Sequence, residues 1–359
     1  MAENEQVVLE GIFGVFKPAT TSTPQVLLDL QKIFASSRTF APLLEETRRK
    51  RFEQDLHQRD DQKCKNKEGE GRFFKMGHGG TLDPLASGVL IVGIGAGTKE
   101  LPNYLACSKT YETVILFGKS TDTYDVDGSI TEEAGWSHVT AELLESQLEQ
   151  FRGTIKQMPP VYSALKINGI KACEYIRSGL PLPRELASRE VHVEECSLIE
   201  WMDAGTHSYR WPGSTENAMA PAARILLTVS SGFYVRSFVH DLGIACGSLA
   251  TMAALLRSRQ AVFSIPGHGT SAESIPTISY DDLNAGENVW GSLVTEQITK
   301  WKDLQVSTEK PERKQRFRGE WLARTRQERI KQQGGKTKGK YNKKRSEKAD
   351  ELNQKPLTS

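Results

Sequence analysis

The chain has 359 residues, 38% hydrophobic and 26% charged, enough to bury a sizeable core as one large domain or two ordinary ones. No apolar run approaches bilayer-spanning length, so a soluble protein without a membrane partner is expected, and five scattered cysteines argue against a zinc site or a disulfide framework. The formal net charge of +2 hides an asymmetry, because residues 301–359 hold 18 Lys+Arg against 8 Asp+Glu. Such a basic tail on a slightly acidic body implies a polyanionic partner or a nuclear address, with a merely solubilising tail as the alternative.

Taken in order, the first residues carry neither a signal-peptide apolar run nor an arginine-rich transit pattern. Gly11–Pro18 alternates apolar and small residues and predicts a strand with Lys17 at its end. Thr23-Pro24, followed by Val26, Leu27, Leu30 and Ile33, predicts a capped helix. Residues 36–75 then change character. Arg48-Arg49-Lys50-Arg51 is interleaved with acids, and Leu43, Leu44, Phe52 and Leu56 line at most one narrow helical face. This reads as an exposed charged insertion, part helix and part flexible, that either touches a polyanion or is simply solvated.

Next comes Gly77-His78-Gly79-Gly80-Thr81-Leu82-Asp83-Pro84, in which glycines free the backbone and Pro84 pushes Asp83 towards an extended shape. Val89-Leu90-Ile91-Val92 follows as a buried strand, so Asp83 sits on a shaped loop leading into the core. The glycine run Gly93–Lys99 meets neither the phosphate-loop nor the dinucleotide pattern, so no nucleotide cofactor is expected. Lys109–Gly118 predicts a strand with Tyr111 near its start. Thr121–Gly128 has Asp125 and Asp127 but no closing glutamate, so it reads as turn chemistry rather than a calcium loop.

Thr140–Phe151 predicts an amphipathic helix, residues 191–201 and 224–230 predict strands, and Ala204–Ala223 a surface insertion. After Gly232-Phe233-Tyr234-Val235-Arg236 a helix is expected to run through Leu242 and Leu249, with an extended segment at Ala253–Arg257. Beyond about 275 a modest helical stretch remains. From Gln327 onward too few apolar residues are left to pack, and disorder is expected.

Read together, the HGGTLDP motif at 78–84, Lys109-Thr110-Tyr111 with Thr121-Asp122-Thr123, Tyr162-Ser163-Ala164-Leu165-Lys166, and Gly232–Arg236 with Asp241-Leu242-Gly243 resemble the TruB-type pseudouridine synthases. The resemblance covers roughly residues 11–265, and the insertion before the HGGTLDP motif is similar to the eukaryotic Pus4-like branch. It implies an α+β fold, a central mixed and largely antiparallel sheet flanked by helices, with an RNA-binding cleft. It implies a catalytic domain over 1–275, carrying the insertions at 36–75 and 204–223, a partly helical extension at 276–326, and the basic tail at 327–359. A C-terminal PUA module is not recognisable.

The resemblance further implies isomerisation of the T-loop uridine of transfer RNA (position 55) to pseudouridine, and of messenger-RNA uridines in T-arm-like hairpins. No cofactor or metal is implied, and a monomer in the nucleus, also in cytoplasm or mitochondrion, is expected. By the same resemblance Asp83 is the nucleophile, Arg236 its ion-pair partner and Tyr111 the ring that stacks on the target base. Tyr234 and Leu256 line the uracil pocket and His78 fills the space left by the extruded base. Asp122, Lys17 and Lys99 flank the cleft, the two lysines as phosphate contacts. A guanidinium suits the task because it holds a carboxylate in a fixed fork, and base extrusion is the usual cost of reaching a stacked base. The competing class is a tRNA-binding or folding chaperone with incidental catalysis.

Overall fold

The computed structural model describes residues 8–57, 72–268 and 274–306, with 55–57 as backbone only. In chain order its strands are β1 (Gly11–Lys17), β2 (Met76–His78), β3 (Ser87–Ile94), β4 (Lys109–Phe117), β5 (Lys119–Thr121), β6 (Ile130–Glu133) and β7 (Gly153–Gln157). The hairpin β8–β9 (Lys166–Ile167 and Ile170–Lys171) follows, then β10 (Arg189–Met202), β11 (Ala222–Val229), β12 (Ala250–Gln260), β13 (Phe263–Ser264) and β14 (Ile275–Pro276). The helices are α1 (Thr23–Ala35), α2 (Ala41–His57), α3 (Leu101–Ala106), α4 (Ala141–Leu148), α5 (Ala172–Arg177), α6 (Val235–Ala245), α7 (Tyr280–Asn284) and α8 over 287–306.

The main sheet runs β1-β3-β12-β4-β11-β10-β7, with β2 paired to β3 and β13 joining β12 to β14. Along that path every pair is antiparallel except β3 with β12. The α+β class expected from the sequence is the one observed. Strand β3 is apolar and buried on both faces because it lies between β1 and β12 with helices covering the sheet. Where β3 meets β12, Gly88 faces Arg257, and a Cβ at Gly88 would overlap the Arg257 carbonyl. Only glycine allows that approach, which seats the loop before β3 against the middle of the sheet.

Among the described residues two large cores form around this sheet, with a smaller cluster where the 204–223 segment meets β4 and β12. One packs α1, the start of α2 and α8 against β1 and β3 through Phe13, Val26, Leu30, Phe34, Leu90 and Trp290. The 36–75 segment therefore is not wholly exposed. Phe40, Leu43 and Leu44 are buried and Phe40 stacks on Phe34 at 4.4 Å, whereas Phe52 is exposed. Among the described side chains of α2, the buried apolar residues lie in its first turn. Leu56's side chain and residues 58–71 lie outside the described residues.

Residues 276–301 share this same core. Gln297 accepts a hydrogen bond from the Gly14 amide (2.7 Å) and donates to the Pro276 carbonyl (2.6 Å), and the compact unit runs through Trp301. The boundary placed at 275 thus falls inside a packed unit. Residues 302–306 belong to a second unit, and the basic tail from 327 lies outside the described residues.

The other core packs α4 and α6 on β4, β10, β11 and β12. Val235, Phe238, Val239 and Leu242 recur at helical spacing on α6 and are buried, and truncating Phe238 to alanine is worth about 3–5 kcal/mol. Helix α6 stops at Ala245, short of the expected Leu249. Gly247 adopts φ +69° and donates to the Ile244 carbonyl, turning the chain into β12. The 204–223 segment is irregular until β11 begins at Ala222, yet His207, Ala218 and Ala220 are buried against the sheet.

Candidate active site

Asp83 stands on the loop between β2 and β3, and four parts of the chain hold that loop from beneath. The Thr23 hydroxyl donates to the Leu82 carbonyl (2.8 Å) and accepts from the Leu82 amide (3.0 Å), a reciprocal pair that replaces a missing ladder partner. On β12, Arg257 donates to the carbonyls of Val89 (2.7 Å) and Gly80 (3.1 Å), and Gln260 donates to that of Gly79 (2.7 Å). Gly80 itself is at φ +145°, a conformation that favours glycine. The Thr20 amide reaches the Pro84 carbonyl at 2.8 Å. Two polar side chains in a central strand are tolerated because the loop gives them acceptors.

Lys17 is the fourth support. It is fully buried, and its ammonium donates to the carbonyls of Pro18 (2.8 Å), Thr21 (2.6 Å) and Pro84 (3.2 Å). Burial lowers its pKa to about 8, the charge of Asp83 pulling it back up and that of Arg257 pushing it further down. A lysine so enclosed does not contact RNA phosphates, and the phosphate role expected for Lys17 is corrected to one of tying the Asp83 loop to β1.

Above the loop, Arg236 lies in the first turn of α6. Its Nε lies 2.9 Å from Asp83 Oδ2, while Nη1 donates to the Thr123 carbonyl (2.9 Å) and Nη2 to that of Tyr162 (2.8 Å). The fork therefore grips Asp83 through one nitrogen rather than two. A second carboxylate, Asp125, has Oδ2 at 3.6 Å from the same Nε. Asp125 also accepts from the Thr123 hydroxyl (2.6 Å) and the Asp127 amide (3.2 Å). Burial raises the Asp125 pKa, opposed by the Thr123 hydrogen bond and the Arg236 charge. The side chains of Arg236 and Asp125 are each 8% exposed and that of Asp83 is 37% exposed, so only Asp83 can meet an incoming ligand.

Tyr111, on β4 opposite Arg257 of β12, is buried in the same core cluster as Leu82, Ala86 and Leu255. Leu255 and Leu256 are consecutive on a strand, so they face opposite sides of the sheet. Leu255 shares Tyr111's face, whereas Leu256 pairs across from Glu112 on the other face. Of the two, it is the Leu255 side chain that packs in Tyr111's cluster, and the Leu256 side chain is not brought there. Tyr234 precedes α6, and its peptide is bracketed by Gln157, whose amide donates to the Tyr234 carbonyl (3.0 Å) and accepts from its amide (2.8 Å). Arg189 lies over the Tyr234 ring at 4.9 Å from the centroid.

His78 is half-buried on β2, its Nδ1 accepting from the Gly80 amide at 3.4 Å. Burial and the nearby Arg257 lower its pKa, so the ring is neutral near pH 7. Asp122 does not join the carboxylate pair. It is exposed, closes its own turn by accepting from the Ser129 amide (2.8 Å), and accepts from the more distant Tyr162 hydroxyl (3.4 Å). Lys99 is exposed on a 3-10 turn after the far end of β3, and a strand of that length spans roughly 25 Å. It is not brought to Asp83 either. Among the described residues no cluster of His, Cys, Asp and Glu has the arrangement of a metal site.

Residues that sequence reasoning missed are Asp125, Gln157, Arg257, Gln260 and Thr23. Asp125 was in view within Thr121–Gly128, but spacing does not tell which aspartate of a turn points inward. The polar Arg257 and Gln260 at the end of an apolar strand were the readable signal.

Residues 65–235 match the profile of the TruB family pseudouridylate synthase N-terminal domain. The chain is 33% identical to tRNA pseudouridine synthase 4 of Schizosaccharomyces pombe, over 71% of this chain and 79% of that one. It is 30% identical to tRNA pseudouridine synthase 4 of Saccharomyces cerevisiae, over 84% and 88%. Among solved structures, the Cbf5-Nop10-Gar1 complex aligns with a TM-score of 0.46 and 19% identity, over 81% of this chain and 61% of the chain matched.

Proposed function

Because the chain belongs to the TruB family of pseudouridylate synthases, we propose that it isomerises a T-arm uridine of transfer RNA to pseudouridine, with Asp83 as the nucleophile. The observation that carries the assignment of roles is the 2.9 Å contact between Arg236 Nε and Asp83 Oδ2, in a pair where only Asp83 is open to solvent. A carboxylate serves here because it can form, then release, a covalent or ion-paired adduct while the glycosidic bond breaks and the base turns.

The reaction exchanges a C1′–N1 bond for a C1′–C5 bond and moves a proton from C5, so it calls for no redox step and no group donor. Arg236, fixed by two carbonyls, holds the Asp83 carboxylate at one angle before the RNA arrives, which is the kind of preorganisation that accelerates a charged step. In this reading Tyr111 stacks on the flipped uracil, with Leu255 and Tyr234 as walls, and His78 enters the vacated stack as a neutral ring. Messenger-RNA hairpins that mimic the T-arm are further substrates. The basic cluster Lys343-Lys344-Arg345 serves as a nuclear address.

The test in cells is pseudouridine mapping by carbodiimide block in RNA from cells lacking the protein. The proposal expects loss of the T-loop modification and its return with the wild-type chain. Full T-loop modification in the deletion, together with no conversion of T-arm RNA by purified protein, would refute it.

A further inference from the structure

The turn that meets Arg236 contains a feature that neither Asp83 nor Arg236 explains. Tyr124 lies between Thr123, whose carbonyl accepts from Arg236 Nη1, and Asp125, whose carboxylate faces Arg236 Nε. Its backbone is at φ +63°, the left-handed region that a bulky residue enters only when something holds it there. Two groups flank it. On the sheet side the Met252 amide donates to the Tyr124 carbonyl (3.0 Å) and the Val126 amide donates to the Met252 carbonyl (3.1 Å). On the helix side the Tyr124 ring lies flat on His240, with centroids 4.0 Å apart and planes 13° from parallel.

His240 is four residues after Arg236, so the two side chains leave the same face of α6 one turn apart. The helix thus grips the 121–128 turn twice: Arg236 takes the Thr123 carbonyl and Asp125, and His240 takes the ring between them. The imidazole is itself fixed, with Nδ1 3.4 Å from the Ser120 hydroxyl at the start of the same turn. We propose that His240 is a positioning residue, whose ring holds Tyr124 in the left-handed turn that presents Thr123 and Asp125 to Arg236 and so sets the angle at which Arg236 meets Asp83.

A stacked ring pair suits the task because it constrains orientation through the overlap of two flat faces. The alternative is ordinary packing of two half-buried rings, which predicts a loss of stability with no change in turnover per folded molecule. Three variants separate them. His240→Ala removes the ring, His240→Gln keeps a hydrogen-bonding group for Ser120 without a ring, and His240→Phe keeps a ring that stacks on Tyr124.

The activity arm rests on the proposed function and uses a T-arm RNA hairpin with the wild type as control. His240→Ala and His240→Gln are expected to lower kcat about tenfold with KM within twofold, and His240→Phe to stay within about threefold of the wild type. A second arm needs no activity: hydrogen exchange of the full chain without RNA. Amides of 121–128 are expected to exchange about tenfold faster in His240→Ala and His240→Gln, at wild-type rate in His240→Phe, with the rest of α6 and β12 unchanged. Should the alanine variant fail to fold, the Gln and Phe pair makes the same comparison.

An inactive wild type refutes the proposed function and leaves the exchange arm to decide this inference alone. A wild type that turns over, with the ringless variants unchanged in kcat or altered only in KM, overturns the positioning role. So does a phenylalanine variant as impaired as the alanine one, or unchanged exchange in 121–128.

Discussion

Arg236 gives Asp83 a single nitrogen, Nε at 2.9 Å from Oδ2, because both of its terminal nitrogens are committed to the carbonyls of Thr123 and Tyr162. The geometry is three-pronged, and an ammonium cannot copy it. Arg236→Lys is therefore expected to lower kcat by about 10²–10³-fold while RNA affinity changes by less than about fivefold. Single-turnover conversion and filter binding on the same hairpin measure the two quantities. An equal loss in both would place Arg236 in RNA binding rather than in the alignment of Asp83.

Leu255 and Leu256 are adjacent in sequence and on opposite faces of β12, with only Leu255 in the cluster that holds Tyr111 and Leu82. Leu255→Ala should lower kcat/KM by about tenfold or more and destabilise the fold by about 2–4 kcal/mol. Leu256→Ala should leave kcat/KM within about twofold, since its Glu112 side of the sheet is not the Asp83 side. Steady-state kinetics on the two variants decide the register.

Lys17 donates to three carbonyls, including that of Pro84 next to Asp83. Lys17→Met removes those donors and is expected to cost about 1–3 kcal/mol. The pH dependence has a definite sign. The folded pKa is lowered to about 8 from 10.5, so between those values the unfolded chain binds the proton and the folded chain does not. Wild-type stability measured against the Lys17→Met variant should rise as pH climbs from about 8 towards 10.5 and sit at its lowest plateau below 8. Denaturant unfolding at intervals of pH, taken as the difference between the two proteins, cancels the lysines and tyrosines they share.

The tail from Gln327 carries 10 Lys+Arg against 4 Asp+Glu. If it neutralises RNA phosphates, deleting 327–359 should weaken binding and flatten the slope of log K against log salt, by about one unit for each phosphate the tail had neutralised. Catalysis at saturating RNA should be unchanged. A slope identical to the full chain would restrict the tail to addressing.

Much of the fold and of the site is legible in the sequence. The strand at Val89–Val92 and the helix after Arg236 follow from apolar periodicity, and Asp83 and Arg236 stood out because motif order brought distant residues together. What periodicity could not give were the supports. Phe40 and Leu43 are buried in a cluster shared by α1, Phe74 and Trp290 of α8, a long-range packing with no local signature. Asp125 and Asp122 are chemically identical in sequence, and the left-handed turn at Tyr124 decides which one faces Arg236. Motif order named Leu256, whereas the strand register puts the side chain of Leu255 on Tyr111's face, because on a strand one residue reverses the face. Lys17 looked like a surface cation because charge alone does not reveal that three carbonyls enclose it.

If Asp83, held by Arg236, performs the chemistry on an RNA uridine, conversion of a T-arm hairpin to pseudouridine depends on its carboxylate. Purified wild type and Asp83→Asn, compared at equal RNA occupancy, measure that dependence. Turnover by the wild type is expected, with a loss of about 10⁴-fold or more in the variant and RNA affinity retained within about fivefold. Turnover by Asp83→Asn within tenfold of the wild type would contradict it.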